Sequence, residues 1–220
     1  MSVTKAASLL CAVFMVLAAV PASAGDARAW GPMSRDEAIR KLSSSQVEQR
    51  RQAVYRLADV GTMDDTPLLI AVLRDSEELV RGAAEQSLWG IWMRANDSTA
   101  DPMFQVGMDL MNQNRLREAE ATFTEVIALR PEFAEAWHRR GEVKVLKDDW
   151  SAAAQDFAHA LELNPYHFGA LEGLGHCSLH MGDPATAVGY FRRAIELNPN
   201  LWDVYEALQR AEDMAERYRT

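Results

Sequence analysis

Cysteine is nearly missing from this chain of 220 residues; there are two, Cys11 and Cys177. Cys11 sits inside an apolar leader, so Cys177 stands alone in the rest of the chain. That excludes an intramolecular disulfide and a cysteine-built zinc site. Positive charge is also scarce: 23 Lys and Arg face 32 Asp and Glu, for a net −9 and a pI near 5.1. Such a balance argues against nucleic acid or an anionic membrane as the main partner. Catalytic signatures are missing too, with no P-loop, no G-x-S-x-G and no H-E-x-x-H. The acidic pairs Asp64-Asp65 and Asp148-Asp149 fall in predicted turns, where capping explains them. The expectation is a protein that is not an enzyme and needs no cofactor.

One long apolar run exists, and it comes first. Lys5 precedes the apolar stretch Ala6 to Val20, Pro21 breaks it, and Ala22-Ser23-Ala24 offers a small-x-small cleavage pattern. The run is shorter than the roughly 20 residues of a spanning helix, so residues 1–24 read as a cleaved signal peptide. Cys11 follows Leu9-Leu10 and does not fit a lipobox. The mature chain is then exported, periplasmic or secreted, with no stable membrane insertion. Residues 25–35 read as an N-terminal linker.

The rest is organised by repetition. A shift of 34 residues superposes Gly107, Gly141 and Gly175, then Ala119, Ala153 and Ala187. The same shift aligns Phe123, Phe157 and Phe191, and Pro131, Pro165 and Pro199. Small residues let two helices approach, the aromatic fills the space between pairs, and proline ends the second helix. A fainter repeat with a shift of 31 aligns Arg50 with Arg81, Ala53 with Ala84 and Leu57 with Leu88. Apolar residues in both repeats recur at helical spacing.

The 34-residue pattern in "AWHRRGEVKVLKDDWSAAAQDFAHALELNP" resembles the tetratricopeptide family. "RDSEELVRGAAEQSL" looks like the second helix of a HEAT-type repeat. Together with "LWGIW" and "HFGALEGLG", the chain also resembles small exported bacterial tetratricopeptide proteins without a defined activity. The resemblance implies an all-α fold, a right-handed α-α superhelix of helix pairs. Its parts would be HEAT-like pairs over 36–94, a short linker over 95–99, repeats over 100–133, 134–167 and 168–201, and a capping helix over 202–220. The N-terminal pairs would lean on the first repeat through Leu88, Trp89, Ile91 and Trp92.

The resemblance also implies that the first helix of each pair lines a concave groove. In the first copy the groove positions are Phe104, Met108, Met111 and Asn112. In the second they are His138, Glu142, Val145 and Leu146, with Arg139 beside them; in the third they are Glu172, His176, Leu179 and His180. The family's clamp for acidic chaperone tails would use Phe104, Met108, Arg139, Gly169 and Gly173, of which only Arg139 is cationic, so that mechanism is absent. The expected function is a non-enzymatic scaffold or adaptor in the bacterial cell envelope, taking a peptide or helix in the groove. Residues 100–220 carry 12 Lys and Arg against 20 Asp and Glu, which favours a basic partner.

Two other functions remain open at this point. His138, Glu142, His176 and His180 are candidate ligands for a transition metal, or for pH-responsive binding. A structural subunit of a permanent envelope assembly is the other. Glu172, His176 and His180 share one helix face, whereas Cys177 turns toward the packed interior and His167 falls between helix pairs.

Overall fold

The structure is a computed structural model and describes residues 33–217. Residues 1–24, read above as a signal peptide and holding Cys11, and most of the expected linker over 25–35 lie outside the described residues, as do positions 218–220. The described residues hold eleven α-helices and no strand. The first four are α1 (Arg35–Lys41), α2 (Val47–Val60), α3 (Thr66–Val72) and α4 (Glu78–Trp92). The repeats follow as α5 (Ala100–Asn112) with α6 (Leu116–Leu129), α7 (Ala134–Leu146) with α8 (Trp150–Leu163), and α9 (Phe168–His180) with α10 (Pro184–Leu197). Helix α11 (Trp202–Arg217) covers the end. Helix pairs stacked in this way form an α-α superhelix.

Local chemistry sets the boundaries. Asp149 caps α8 by accepting the Ala152 N–H at 3.2 Å, and Asp183 caps α10 by accepting the Thr186 N–H at 3.0 Å. Pro184 occupies the first turn of α10, where a missing N–H costs nothing. The C-terminal ends of α6, α8 and α10 are each followed two residues later by Pro131, Pro165 or Pro199.

Inside each repeat the 34-residue columns meet. Phe123, Phe157, Phe191, Ala119, Ala153 and Ala187 are all 0% exposed. A Cβ added to Gly107 would lie 2.6 Å from Phe123, and one added to Gly141 would lie 2.8 Å from Phe157. Gly175 sits against Phe191 in the same way. Phe157 is also pressed from its other edge by Gly173, so a ring from one pair fills the notch of the next.

Helices α1 to α4 build their own small core from Ala53, Val54, Leu57, Leu69, Val80, Ala84 and Leu88. Arg50 holds Asp75 by paired hydrogen bonds of 2.6 and 2.8 Å, and Ser87 donates to the Val54 carbonyl at 3.0 Å. Where this block rests differs from the expectation of a lean on the first repeat. Leu88 and Ile91 are buried, and Ile91 is set against Gly61 within the block. Met93 and Ala95, just past α4, do pack on the first repeat's core. Trp89 and Trp92, however, reach the second and third repeats, with ring centroids 5.4 and 5.1 Å from Phe168. At the other end of α4, Arg81 donates to Asn200 at 3.0 Å and Asn200 donates to the Leu73 carbonyl at 2.9 Å. Arg74 donates to the Glu196 carbonyl. Helix α4 therefore runs along the turns that open α9 and α11, and the physical reason is chemical: two indoles find a buried aromatic and histidine surface there.

Replacing Phe157 with Ala should cost about 3–5 kcal/mol of stability, read as a lower urea midpoint. Gln155→Ala, exposed on α8, should change it by less than about 0.5 kcal/mol.

Candidate functional site

The site is centred on a carboxylate that has no contact with water. Glu135, in the first turn of α7, is 0% exposed. Its Oε1 accepts a hydrogen bond from Arg139 Nε at 2.6 Å, and Oε2 lies 2.8 Å from His167 Nε2. Arg139 in turn donates to Glu142 at 2.9 Å. Residues four and three apart on one helix face make the first and last of these contacts possible, and His167 joins from the turn that starts α9.

His167 has two tasks. Its Nδ1 accepts the Ala170 N–H at 3.2 Å, which makes the imidazole the N-cap of α9. A nitrogen that accepts carries no proton, so the hydrogen-bond network assigns the proton to Nε2, which donates to Glu135. Burial, then neighbouring His138, push the His167 pKa down to about 4 against the opposing pull of Glu135. For Glu135, burial raises the pKa, but Arg139 and then His138 and His167 outweigh it and hold the carboxyl well below its usual range. Burial disfavours the Arg139 charge, while Glu142 and Glu135 together raise its pKa.

Helix α4 covers this cluster. Trp92 stacks on His167 with centroids 5.0 Å apart and planes at 25°. Trp89 meets His167 edge-on at 5.6 Å, lies 6.0 Å from the His138 ring, and takes the Arg139 guanidinium over its face at 5.6 Å. Room for Trp89 comes from Gly169, where an added Cβ would stand 3.0 Å from Trp89 Cη2 and 3.2 Å from His138 Nε2.

Glu135, His138 and His167 present ligand atoms within 4.8 Å of one another, and buried His138 Nδ1 faces Glu135 Oε1 at 3.5 Å without a well-formed hydrogen bond. The donor chemistry nevertheless does not fit a metal ion. His167 Nε2 carries its proton because Nδ1 is committed to the cap, and both Glu135 oxygens already hold donors, one of them the Arg139 cation. Zinc needs unprotonated nitrogens and uncommitted lone pairs.

The candidate ligands read from sequence are not gathered. His138 Nε2 lies 3.8 Å from Glu142, and His176 Nε2 lies 3.6 Å from Glu172. His180 stacks on Trp150 at 3.5 Å with planes 5° apart. Among the described residues the one group of three or more close ligand atoms is Glu135, His138 and His167.

Several expected groove residues turn inward. Phe104, Met108 and Met111 are buried in the core of the first repeat, with Phe104 against Phe123 and Phe133 at 5.6 and 5.0 Å. They face that core because the first repeat needs its own apolar filling, so the expected apolar end of the groove is corrected to packing. His138, Arg139 and Val145 are buried as well, the first two beneath Trp89. Glu142, Leu146, Glu172, His176 and Leu179 are half-buried, and Asn112 and His180 are exposed.

Glu135 and His167 were missed as site residues. A signal existed: the repeat column that holds His167 holds Phe133 and Leu201 in the other copies, so a histidine there is a polar residue in an apolar slot. Cys177 is fully buried, and burial pushes its thiol up to about 12, far from a reactive thiolate.

Comparison with known proteins agrees with the periodicity. The tetratricopeptide repeat family matches residues 106–147 and 139–201, and residues 106–201 carry these repeats. A TPR repeat-containing protein of Rhizobium etli is 30% identical over 83 residues, covering 38% of this chain. This chain spans 41% of that protein's length. Among solved structures, the first TPR of Spaghetti (RPAP3), bound to an HSP90 peptide, superposes with a TM-score of 0.53 and 20% identity. It covers 55% of this chain, and 96% of that chain is matched. MamA protein superposes with a TM-score of 0.52 and 18% identity, over 70% of this chain and 84% of MamA. Both likenesses concern the fold.

The protonation states predict an acid response. His167 has a folded pKa of about 4, below the unfolded value of about 6.5, so the unfolded state binds its proton first. The stability that His167 contributes is complete above pH ~6.5 and falls away as pH drops toward 4, by about 3 kcal/mol. Thermal midpoints should decline through that window. His167→Asn, which keeps a cap acceptor without titrating, should flatten the decline; an unchanged slope would contradict the assignment.

Proposed function

We propose that this chain is a non-enzymatic protein-interaction scaffold of the bacterial cell envelope. The observation that carries this reading is the run of three in-register tetratricopeptide repeats, a fold that in the RPAP3 structure accompanies a bound HSP90 peptide. The exported location rests on the leader-like residues 1–24. The HEAT-like reading of residues 36–94 is supported by the Arg50–Asp75 pair, which ties one helix pair to the next.

The ligand differs in chemistry from an acidic tail such as SRMEEVD. Of the clamp positions, Arg139 alone is cationic, and here it is buried and engaged with Glu135 and Glu142. With residues 100–220 at net −8, from 12 basic and 20 acidic residues, a basic or apolar segment is the better match. On α9 the inner-face positions Glu172, His176 and Leu179 stay partly open, with His180 exposed beside them. These side chains offer a carboxylate, imidazoles and an apolar contact to an incoming chain.

Photo-crosslinking in cells tests the reading. A crosslinker at Leu179 or Glu172 should give a discrete adduct that one at Gln155, on the exposed side of α8, does not. Adducts with a second copy of the chain would favour a structural subunit. No adduct from either groove position would remove the scaffold reading.

A further inference from the structure

Part of the inner face of the second and third repeats is already covered by this chain's own helix. That helix bears two tryptophans one turn apart, Trp89 and Trp92, and each meets a matched surface. Trp92 lies flat on the His167 ring at 5.0 Å. Trp89 takes the Arg139 guanidinium on its face and Phe168 on its edge. Gly169 is the residue that leaves space for it, because a side chain there would collide with Trp89 and His138. We propose that this surface is a recognition site for a helix carrying an aromatic pair at i and i+3, filled in cis by α4, and that a partner helix with such a pair competes for it. The proposal rests on the scaffold reading and names the kind of partner the scaffold would take.

Three features separate an exchangeable occupant from ordinary core. First, Val54, Leu57, Leu69 and Leu88 of the α1–α4 block are fully buried, and Ser87 of α4 is hydrogen-bonded to the Val54 carbonyl within it. Second, Trp89 is half-buried where Trp92 is 3% exposed, so one anchor sits at the rim. Third, the far end of α4 is held by polar contacts, Arg81 and Leu73 with Asn200 and Arg74 with the 196–197 carbonyls. Polar contacts at an edge exchange with water at low cost, whereas an indole stacked on a buried ring does not. Cis occupancy lowers the apparent affinity for any outside helix by the fraction of molecules whose site is open. A helix with the pair would win by supplying the same two stacking contacts, and one without it would leave Glu135, His138 and His167 uncovered.

The probe is a fluorescein-labelled peptide of this chain's own residues 77–93, with a control peptide in which both tryptophans are alanine. Each is titrated by fluorescence anisotropy with the full chain as wild type, as Trp89→Ala and as Asn200→Ala. Asn200→Ala loosens the far end of α4 without touching the aromatic site. Cooperative thermal unfolding of each variant confirms that it is folded. Trp89→Ala and Asn200→Ala should bind the tryptophan peptide at least about tenfold more tightly than wild type. The alanine peptide should bind none of the three. Adding Gly169→Leu to Trp89→Ala should abolish binding by filling the indole space. Equal affinity of wild type and both variants, or equal binding of the two peptides, would overturn the proposal. A failure here alongside a discrete adduct at Leu179 would remove this site and leave the scaffold reading standing.

Discussion

A carboxylate shut away from water cannot be left without counter-charge and donors. Glu135 is such a group, and the arrangement around it follows from meeting its needs. Arg139 comes from the next turn of the same helix, while His167 comes from the following repeat. Because His167 keeps its proton on Nε2 and donates that hydrogen bond to Glu135, its other nitrogen is left to cap α9. The ring it presents is then neutral and flat, a surface on which Trp92 can stack. One buried charge thus fixes the register between the second and third repeats and prepares the face that receives α4.

The repeat architecture was legible because it is written in residues that have one job each. Gly141 admits Phe157, and substitution of either would be felt at once, so the columns stand out by identity alone. The site was less legible. Phe104 and Met108 occupy positions that line a groove when nothing lies over it, and an apolar side chain at helical spacing gives no sign of whether it faces a ligand or its own core. Glu135 and His167 belong together only through a contact 32 residues apart in sequence, and neither sits at a position from which groove residues are usually counted. The tryptophans of "LWGIW" were visible as contact residues. What they touch depends on how the 93–99 segment turns the block, and a polar linker does not encode that direction in any simple pattern.

The filled inner face changes what a scaffold of this kind can do. An open superhelix binds whatever fits its groove. Here the α4 helix occupies part of that surface, so recognition is confined to the α9 side or becomes a contest between an internal and an external helix. Protonating His167 at Nδ1 would set a donor against the Ala170 N–H.

The central claim is that His167 is neutral, protonated on Nε2, and held between Glu135 and Trp92. Nitrogen NMR of the imidazole in the intact chain tests it most directly. The account predicts an unprotonated Nδ1 and a protonated Nε2 at neutral pH, ring protons displaced by the Trp92 ring current, and a titration well below the ordinary histidine value of about 6.5. Exchange-averaged nitrogens that titrate at the ordinary value, with no ring-current displacement, would contradict it.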